Sequence, residues 1–375
     1  MSIVAPRGRQ AGLWVLVVLL AGCGWFGGPA RPSWIDGGSA QFPSSQYLVG
    51  VGQADSRPQA TEQAYAAVSR IFKAEITAQA KDWESYLVVE TRGHTNTERR
   101  LNLDNVTRVT TDKVLENVQV LDTWFDQKTR QYYALAGMNR AQAESAMVER
   151  VGELDRTIQT ELGEARQTQD KLSHVRNLKR AVKNLILREA YNADLRVVRS
   201  NGQGNPPAYR VADLTAELEQ FLASNLGIVV DMSGEQAEPL ARALMDGLTQ
   251  EGFSVMGPDP ASGVAPAELL VKGTVRLWPL EVHDPRFRYV RWCTDAVIEE
   301  TATHRVIGAL SKGGREGHVT EREAAAKAVR VMQQEFSSDL ARSVAAHVYG
   351  EMELPASAAP PSGCPREAVQ PPVSR

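Results

Sequence analysis

Hydrophobic positions along this chain change their spacing several times, and each change marks an element. An uninterrupted apolar run from Ala11 to Leu20 follows Arg7 and Arg9 and ends at Leu20-Ala21-Gly22-Cys23. The run is shorter than the roughly 20 apolar residues that a membrane-spanning helix needs. A charged start, a short apolar core and small residues before a cut site together make a secretory signal, so residues 1–22 are read as a signal peptide. Residues 23–33, with Gly27, Gly28, Pro29 and Pro32, read as a flexible tether. Order begins at Trp34-Ile35. Tyr47–Gly52 is a short apolar strand, and Ser56 caps a helix whose Ala64, Ala67, Val68, Ile71, Phe72 and Ile76 recur at helical spacing. Tyr86–Glu90 is predicted as a strand, and Thr91–Lys113 is compatible with a helix or a β-ribbon. Val118–Phe125 and Tyr132–Ala136 read as a hairpin. Residues 34–138 therefore form a small α+β domain.

Beyond Asn139 the spacing turns to threes and fours. Met147, Val151, Leu154, Ile158, Leu162, Ala165, Leu172, Val175, Val182 and Ile186 mark a long amphipathic helical segment over 139–199. Fifty straight helical residues would reach about 75 Å. Gly152 and Gly163 weaken its interior and are the expected places for a bend or hairpin. Its polar face mixes acids, amides and arginines, which points to a packed seam with a solvated back rather than a membrane surface. Gly202, Gly204, Pro206 and Pro207 then punctuate a loop. From 209 to 352 the pattern predicts a helix over Val211–Leu222, a strand at Leu226–Val230, a helix through Leu240–Leu248 and a strand at Phe253–Met256. Strands at Leu269–Leu277, Arg288–Ile298 and Val306–Leu310 follow, and Thr320 with Glu323 opens a last helix as a capping box. That order is a βαβ start, an antiparallel set and a closing helix. Overall the expectation is α+β: a small α+β domain, a long helical segment and a C-terminal α/β domain with a mixed sheet. Residues 353–375, dominated by Pro, Ala and Ser, are predicted to be disordered.

A hydrophobic content of 43% and a charged content of 23% fit a globular protein. The formal net charge of −3 becomes more negative once Arg7 and Arg9 leave with the signal, so no nucleic-acid footprint is present. Of the three cysteines, Cys293 lies in a predicted strand and Cys364 in the tail. An oxidising compartment would let them pair; spacing alone leaves a disulfide and two free thiols both open.

Candidate chemistry is sparse. Gly50-Val51-Gly52 lies between a strand and a helix, but Asp55 stands where a dinucleotide fingerprint needs its third glycine. The glycines are read as a close packing point. Lys312–His318 lacks the order of a phosphate-binding loop and is read as a strand-to-helix connection. The six histidines show no zinc-ligand spacing. Neither a nucleophile elbow nor a paired acid marks an active site, so no catalytic residue, metal or cofactor is assigned. One cluster stands out: Arg276, Arg286, Arg288 and Arg291 interleave with Trp278, Phe287, Tyr289 and Trp292. Such a set suits an anionic glycan or a protein contact. Arg276, Arg286, Arg288, Arg291 and Trp292 are the candidate binding face; solvated arginines on strand edges are the plainer alternative.

Two resemblances add to this reading. A cysteine directly after Leu20-Ala21-Gly22 resembles a bacterial lipobox. It implies cleavage before Cys23, diacylglycerol on its thiol and an acyl chain such as palmitate on the new amine. Gly24 is compatible with export to the outer membrane, where Asp would favour inner-membrane retention. Pro32-Ser33-Trp34, Tyr47–Gln53, the Ala-rich helix from Ala60 to Ala80, Leu121–Trp124 and Gln131–Leu135 resemble the twenty-kilodalton outer-membrane lipoprotein family. The N-terminal domain of flagellar assembly protein T and flagellar protein P share the pattern. Ala267–Thr274 and Glu316–Thr320 with the Ala-rich helix after them are similar to periplasmic α/β domains. Those occur in the lipoprotein activator of penicillin-binding proteins, the N-terminal part of TolB and the middle of flagellar assembly protein T. These likenesses imply a non-enzymatic outer-membrane lipoprotein facing the periplasm or the cell surface. Its implied partners are the membrane, through acylated Cys23, and flagellar or peptidoglycan-synthesis proteins; self-association stays open.

Overall fold

The computed structural model describes residues 30–79, 117–257, 267–282 and 284–351. The signal, Cys23, the predicted strand at Tyr86–Glu90, the segment Thr91–Lys113 and the tail with Cys364 lie outside the described residues. The chain divides into two compact units, one holding described residues up to Arg70 plus Asn117–Arg140, the other holding those from Ala141 onward with Ile71–Gln79.

In the first unit, strands β1 (Tyr47–Ala54), β2 (Gln119–Asp126) and β3 (Gln131–Asn139) form an antiparallel sheet in the order β1-β3-β2. A bulge between Val120 and Asp122 shifts the β2 register. Helix α1 (Arg57–Gln79) lies on β1 at very short range. A Cβ at Gly52 would fall 2.4 Å from the Ala64 nitrogen, and one at Gly50 would fall 2.8 Å from the Ala64 oxygen. Glycine on the strand and Ala60 and Ala64 on the helix let the two backbones meet, which accounts for the Gly50-Val51-Gly52 pattern. Trp34, in a short 3-10 helix at Ser33–Asp36, is buried and donates its Nε1–H to Asp122 at 2.8 Å.

The second unit begins with two 28-residue helices, α2 (Arg140–Gln167) and α3 (Lys171–Val198). They fold back on each other as a hairpin. Gly152 and Gly163, the expected break points, stay inside α2. The chain turns instead at 168–170, where Asp170 caps α3 by accepting from the Ser173 nitrogen at 2.9 Å. His174 Nδ1 lies 2.7 Å from the Ala165 oxygen across that turn. A capping aspartate starts a new helix, whereas an isolated glycine only weakens one.

After α4 (Val211–Asn225) comes a five-stranded mixed sheet in the order β5-β4-β6-β7-β8. Strand β4 (Gly227–Gly234) runs parallel to β5 (Ser254–Met256) and to β6 (Leu269–Leu280). β6, β7 (Arg288–Glu300) and β8 (Arg305–His318) are antiparallel. Helices α5 (Ala237–Gln250) and α6 (Glu321–Val348) pack on one face. Thr320 accepts from the Glu323 nitrogen at the start of α6, as the capping box predicts. The stripes of the helical hairpin belong to the same core as the sheet: Ile158, Leu162, Val175 and Val182 join Leu218, Ile228, Val271, Ile298, Phe336 and Leu340 in one buried cluster. Each such side chain contributes about 1.5–3 kcal/mol by leaving water, so the hairpin is a structural layer of this unit.

Strand β8 runs to His318, well past the expected end at Leu310, and takes in Lys312–His318. Three glycines hid that extension, because glycine weakens a strand signal. A Cβ at Gly314 would lie 2.7 Å from the Trp292 indole, and one at Gly317 would lie 2.6 Å from the Tyr289 ring. The rings of β7 lie across the glycines of β8, replacing the missing side chains.

Candidate binding face

Alternation along β7 sorts the interleaved residues onto two faces. Thr294 donates to Met332 of α6 at 3.2 Å, which puts even-numbered β7 residues on the helix side. Trp292 is accordingly buried, at 3% exposure, and belongs to the core rather than to a binding face. Arg288 has the same parity and pairs in register with His318. Arg286 lies outside the strands, in the turn before β7.

The other face carries no helix among the described residues, and three rows cross it. Trp278, Arg291 and Arg315 are aligned in register; Arg276, Cys293 and Gly313 form the next row, and Thr274, Asp295 and Ser311 the one after. Of the predicted set, Arg276 and Arg291 come together here. Arg315 joins them, unpredicted because its segment did not read as a strand.

Around that end the electrostatics are local and partly fixed. The Arg315 guanidinium stands 5.3 Å over the Tyr289 ring, a cation–π geometry. The Tyr289 hydroxyl donates to Asp284 at 3.0 Å. Asp284 also accepts the backbone N–H groups of Arg286 at 2.9 Å and Phe287 at 3.1 Å. Those bonds, the Arg286 one first, hold its carboxyl below the usual range. The same bond to Asp284 raises the Tyr289 hydroxyl. Phe287 is exposed at this turn. At the opposite end, Lys272 Nζ lies 3.0 Å from Glu299, which also meets His304 Nδ1 at 2.9 Å. Between the two ends lies a shallow cleft of about 370 Å³ that includes Asp231, Ser233, Lys272, Thr274, Asp295 and Val297.

Such a face can hold an extended or anionic partner: arginines for carboxylates, and Trp278 and Tyr289 for flat contact. Among the described residues no group of His, Cys, Asp and Glu is placed to hold a metal ion. No described helix is long and apolar enough to cross a membrane. Cys293, at mid-strand on the open face, is disulfide-bonded.

A search of the curated proteins finds no match. Among solved structures, the secreted protein HP1454 of Helicobacter pylori is 13% identical, with 80% of this chain and 97% of that one covered at a TM-score of 0.39. A minor lipoprotein of Acinetobacter baumannii is 13% identical over 33% of this chain and 93% of its own, at 0.23. Lipoprotein GNA1162 of Neisseria meningitidis is 12% identical over 29% and 96%, at 0.21. Scores of this size carry no inference about function. Residues 32–139 match the model of the LPP20 lipoprotein family, so the small α+β unit is similar to a domain of a lipoprotein family.

Proposed function

We propose that this chain is a non-enzymatic envelope lipoprotein. It is held in the outer membrane by acyl chains on Cys23 and acts as an assembly or scaffolding factor for envelope proteins, flagellar components among them. The observation that carries the reading is a conjunction. The lipobox-like stretch ends at Cys23, and the family match begins at residue 32, at the end of the short tether. Each buried methylene of an acyl chain contributes about 0.8 kcal/mol, and two or more chains give stable anchoring. A net charge of −3 gives the chain as a whole no attraction to an anionic bilayer. Its work is then tethering: the lipid fixes location, and the open sheet face around Arg291 and Arg315 presents a contact surface to a partner protein. An activator of a peptidoglycan synthase, reaching outward on a long helix, stands second. The α2–α3 hairpin halves that reach, to about 42 Å per 28-residue helix.

Membrane fractionation tests the anchor. Wild-type protein is expected in the detergent-soluble membrane fraction and Cys23→Ala in the soluble fraction; sedimentation of the variant with membranes in high salt would sink the lipid reading. Mild crosslinking in whole envelopes, followed by mass spectrometry, tests the role. Flagellar ring proteins support scaffolding, a penicillin-binding protein supports the activator reading, and self-crosslinks alone overturn both.

A further inference from the structure

At the end of the second sheet where β6 turns into β7, exposed apolar and basic residues are gathered. We propose that this end is a second membrane contact, which seats on the surface of an anionic phospholipid bilayer. Val319 and Phe287, at 63% and 41% exposure, are the two most exposed large apolar residues among those described, and Val282 joins them at 39%. His318 pairs with Arg288, so Val319, Phe287 and the β6–β7 turn share one end of the sheet. Single exposed apolar side chains are ordinary, whereas a group of them rimmed by charge marks a contact. This contact needs no acyl chain and stands apart from the anchor at Cys23.

The charge at this end is of one sign and uncommitted. Arg286 and Arg288 are exposed here, and Arg291 and Arg315 are exposed about 10 Å further along the sheet. No hydrogen bond or ion pair among the described residues occupies the side chains of Arg286, Arg288 or Arg291. Elsewhere in this unit exposed arginines hold carboxylates: Arg210 holds Asp213 at 2.8 Å, and Arg242 and Arg342 hold Glu238 and Asp339. Glu316 pairs with Lys327 and Glu323 with His318, each at 2.9 Å. Asp284 accepts the turn's own donors. Glu281 is exposed, as is Glu321 beside an exposed Arg322. The local balance is therefore positive on a chain whose net charge is −3. Arginines within a Debye length of an anionic bilayer are drawn to it, and each can hold a lipid phosphate through two parallel bonds.

Placement favours a surface over a peptide. Arg288 has the helix-side parity of β7, Arg291 and Arg315 lie on the open side, and Arg286 and Phe287 are in the turn before the strand. A segment laid on the open face reaches only one of these sets, whereas a plane meeting the strand ends reaches all of them. The turn is also pre-shaped. Asp284 accepts from the backbone nitrogens of Arg286 and Phe287 and from the Tyr289 hydroxyl, and its own nitrogen donates to the Val282 carbonyl at 2.8 Å. Seating the turn therefore orders little new structure. Phe287 and Val282 enter the boundary between headgroups and acyl chains, and the arginines around them stay at the phosphates, as in interfacial amphipathic segments.

The test is co-sedimentation with vesicles of the chain from Gly24 onward, which holds every described element and carries no acyl chain. Binding should rise about tenfold from pure phosphatidylcholine to vesicles with about one-third phosphatidylglycerol at about 0.1 M salt, and be lost at about 1 M. Arg286→Gln with Arg288→Gln should weaken it about tenfold or more. Arg210→Gln with Arg242→Gln makes the same change in net charge and should bind as wild type. Phe287→Ala should weaken binding about fivefold. Equal binding to both vesicle types, or an equal loss in the two arginine pairs, would overturn the site; unchanged binding by Phe287→Ala would overturn the apolar seat. Polyglutamate held by the wild type in place of anionic vesicles would give this end to an acidic protein and overturn the proposal as well. High salt releases this contact, so Cys23→Ala retained on membranes in high salt still counts against the acyl anchor alone.

Discussion

The middle of α3 and its C-terminal stretch each bury a charged residue, and they accommodate it in opposite ways. Arg188, at 1% exposure, donates from Nε to Asp155 at 2.9 Å and from Nη1 to Glu189 at 2.7 Å and to the Asn205 carbonyl at 2.9 Å. Its Nη2 reaches the Pro206 carbonyl at 3.3 Å. Asp194, at 0% exposure, has no hydrogen-bond partner for either carboxyl oxygen among the described residues. A guanidinium cannot shed its charge, so the fold supplies every donor with an acceptor. A carboxyl can take up a proton instead, and burial pushes Asp194 up to about 8. The middle of the helix is held by a network, and its C-terminal stretch tolerates a neutral acid.

The largest effect expected from breaking this contrast is at Arg188. Arg188→Ala leaves the half-buried Glu189 and two loop carbonyls without their donor, and should cost about 3–5 kcal/mol in urea unfolding. A loss under 1 kcal/mol would mean that water replaces the network. Asp194→Asn should act in the other direction. With a folded value near 8 and an unfolded one near 3.9, the contribution of Asp194 is fully present below about pH 4 and is lost as pH rises toward 8. The variant should therefore gain about 1–3 kcal/mol at pH 8 and almost nothing at pH 4; a gain independent of pH would refute a protonated Asp194. The third buried group, His347, sharpens the rule with a base. Burial first, and then Arg176, whose Nη2 stands 3.4 Å from its Nε2, lower it to about 4. Its contribution is present above about pH 6.5 and lost as pH falls toward 4. His347→Asn should flatten that acid limb by about 2 kcal/mol in thermal melts between pH 6.5 and 4.5. An unaltered limb would assign the acid sensitivity elsewhere.

Much of this was legible in the chain, though unevenly. The three-four stripe from Met147 to Ile186 foretold a long helical segment, because one apolar face shows its period, but not its break at 168–170. Arg188 and Asp194 were not foretold. From Ala190 to Leu195 every residue of α3 is buried, and a helix covered all round has no period left to read. The βαβ start, the antiparallel set and the closing helix of the second unit were visible from the strand–helix–strand spacing over 226–256 and the capping box at Thr320; the order of the strands in the sheet was not. The binding face was legible only in part. Arg291 and Trp292 are neighbours on a strand and therefore had to face opposite ways, a signal present in the sequence that separates Trp292 from the arginines. Arg315 was hidden, because Gly313, Gly314 and Gly317 look like a loop until the rings of Trp292 and Tyr289 are known to lie across two of them.

The turn at Asp170 also bears on the order in which the chain acquires structure. His174 and Ala165, which meet across it, are nine residues apart, whereas Gly227 and Glu268, which join β4 to the start of β6, are 41 apart. Closing the shorter loop loses less entropy and is the faster event. In a chain emerging from its N-terminus, α2 and α3 can pair before β6 to β8 have appeared. The hairpin then offers the late strands a ready apolar surface, limiting the time their backbones stand unpaired.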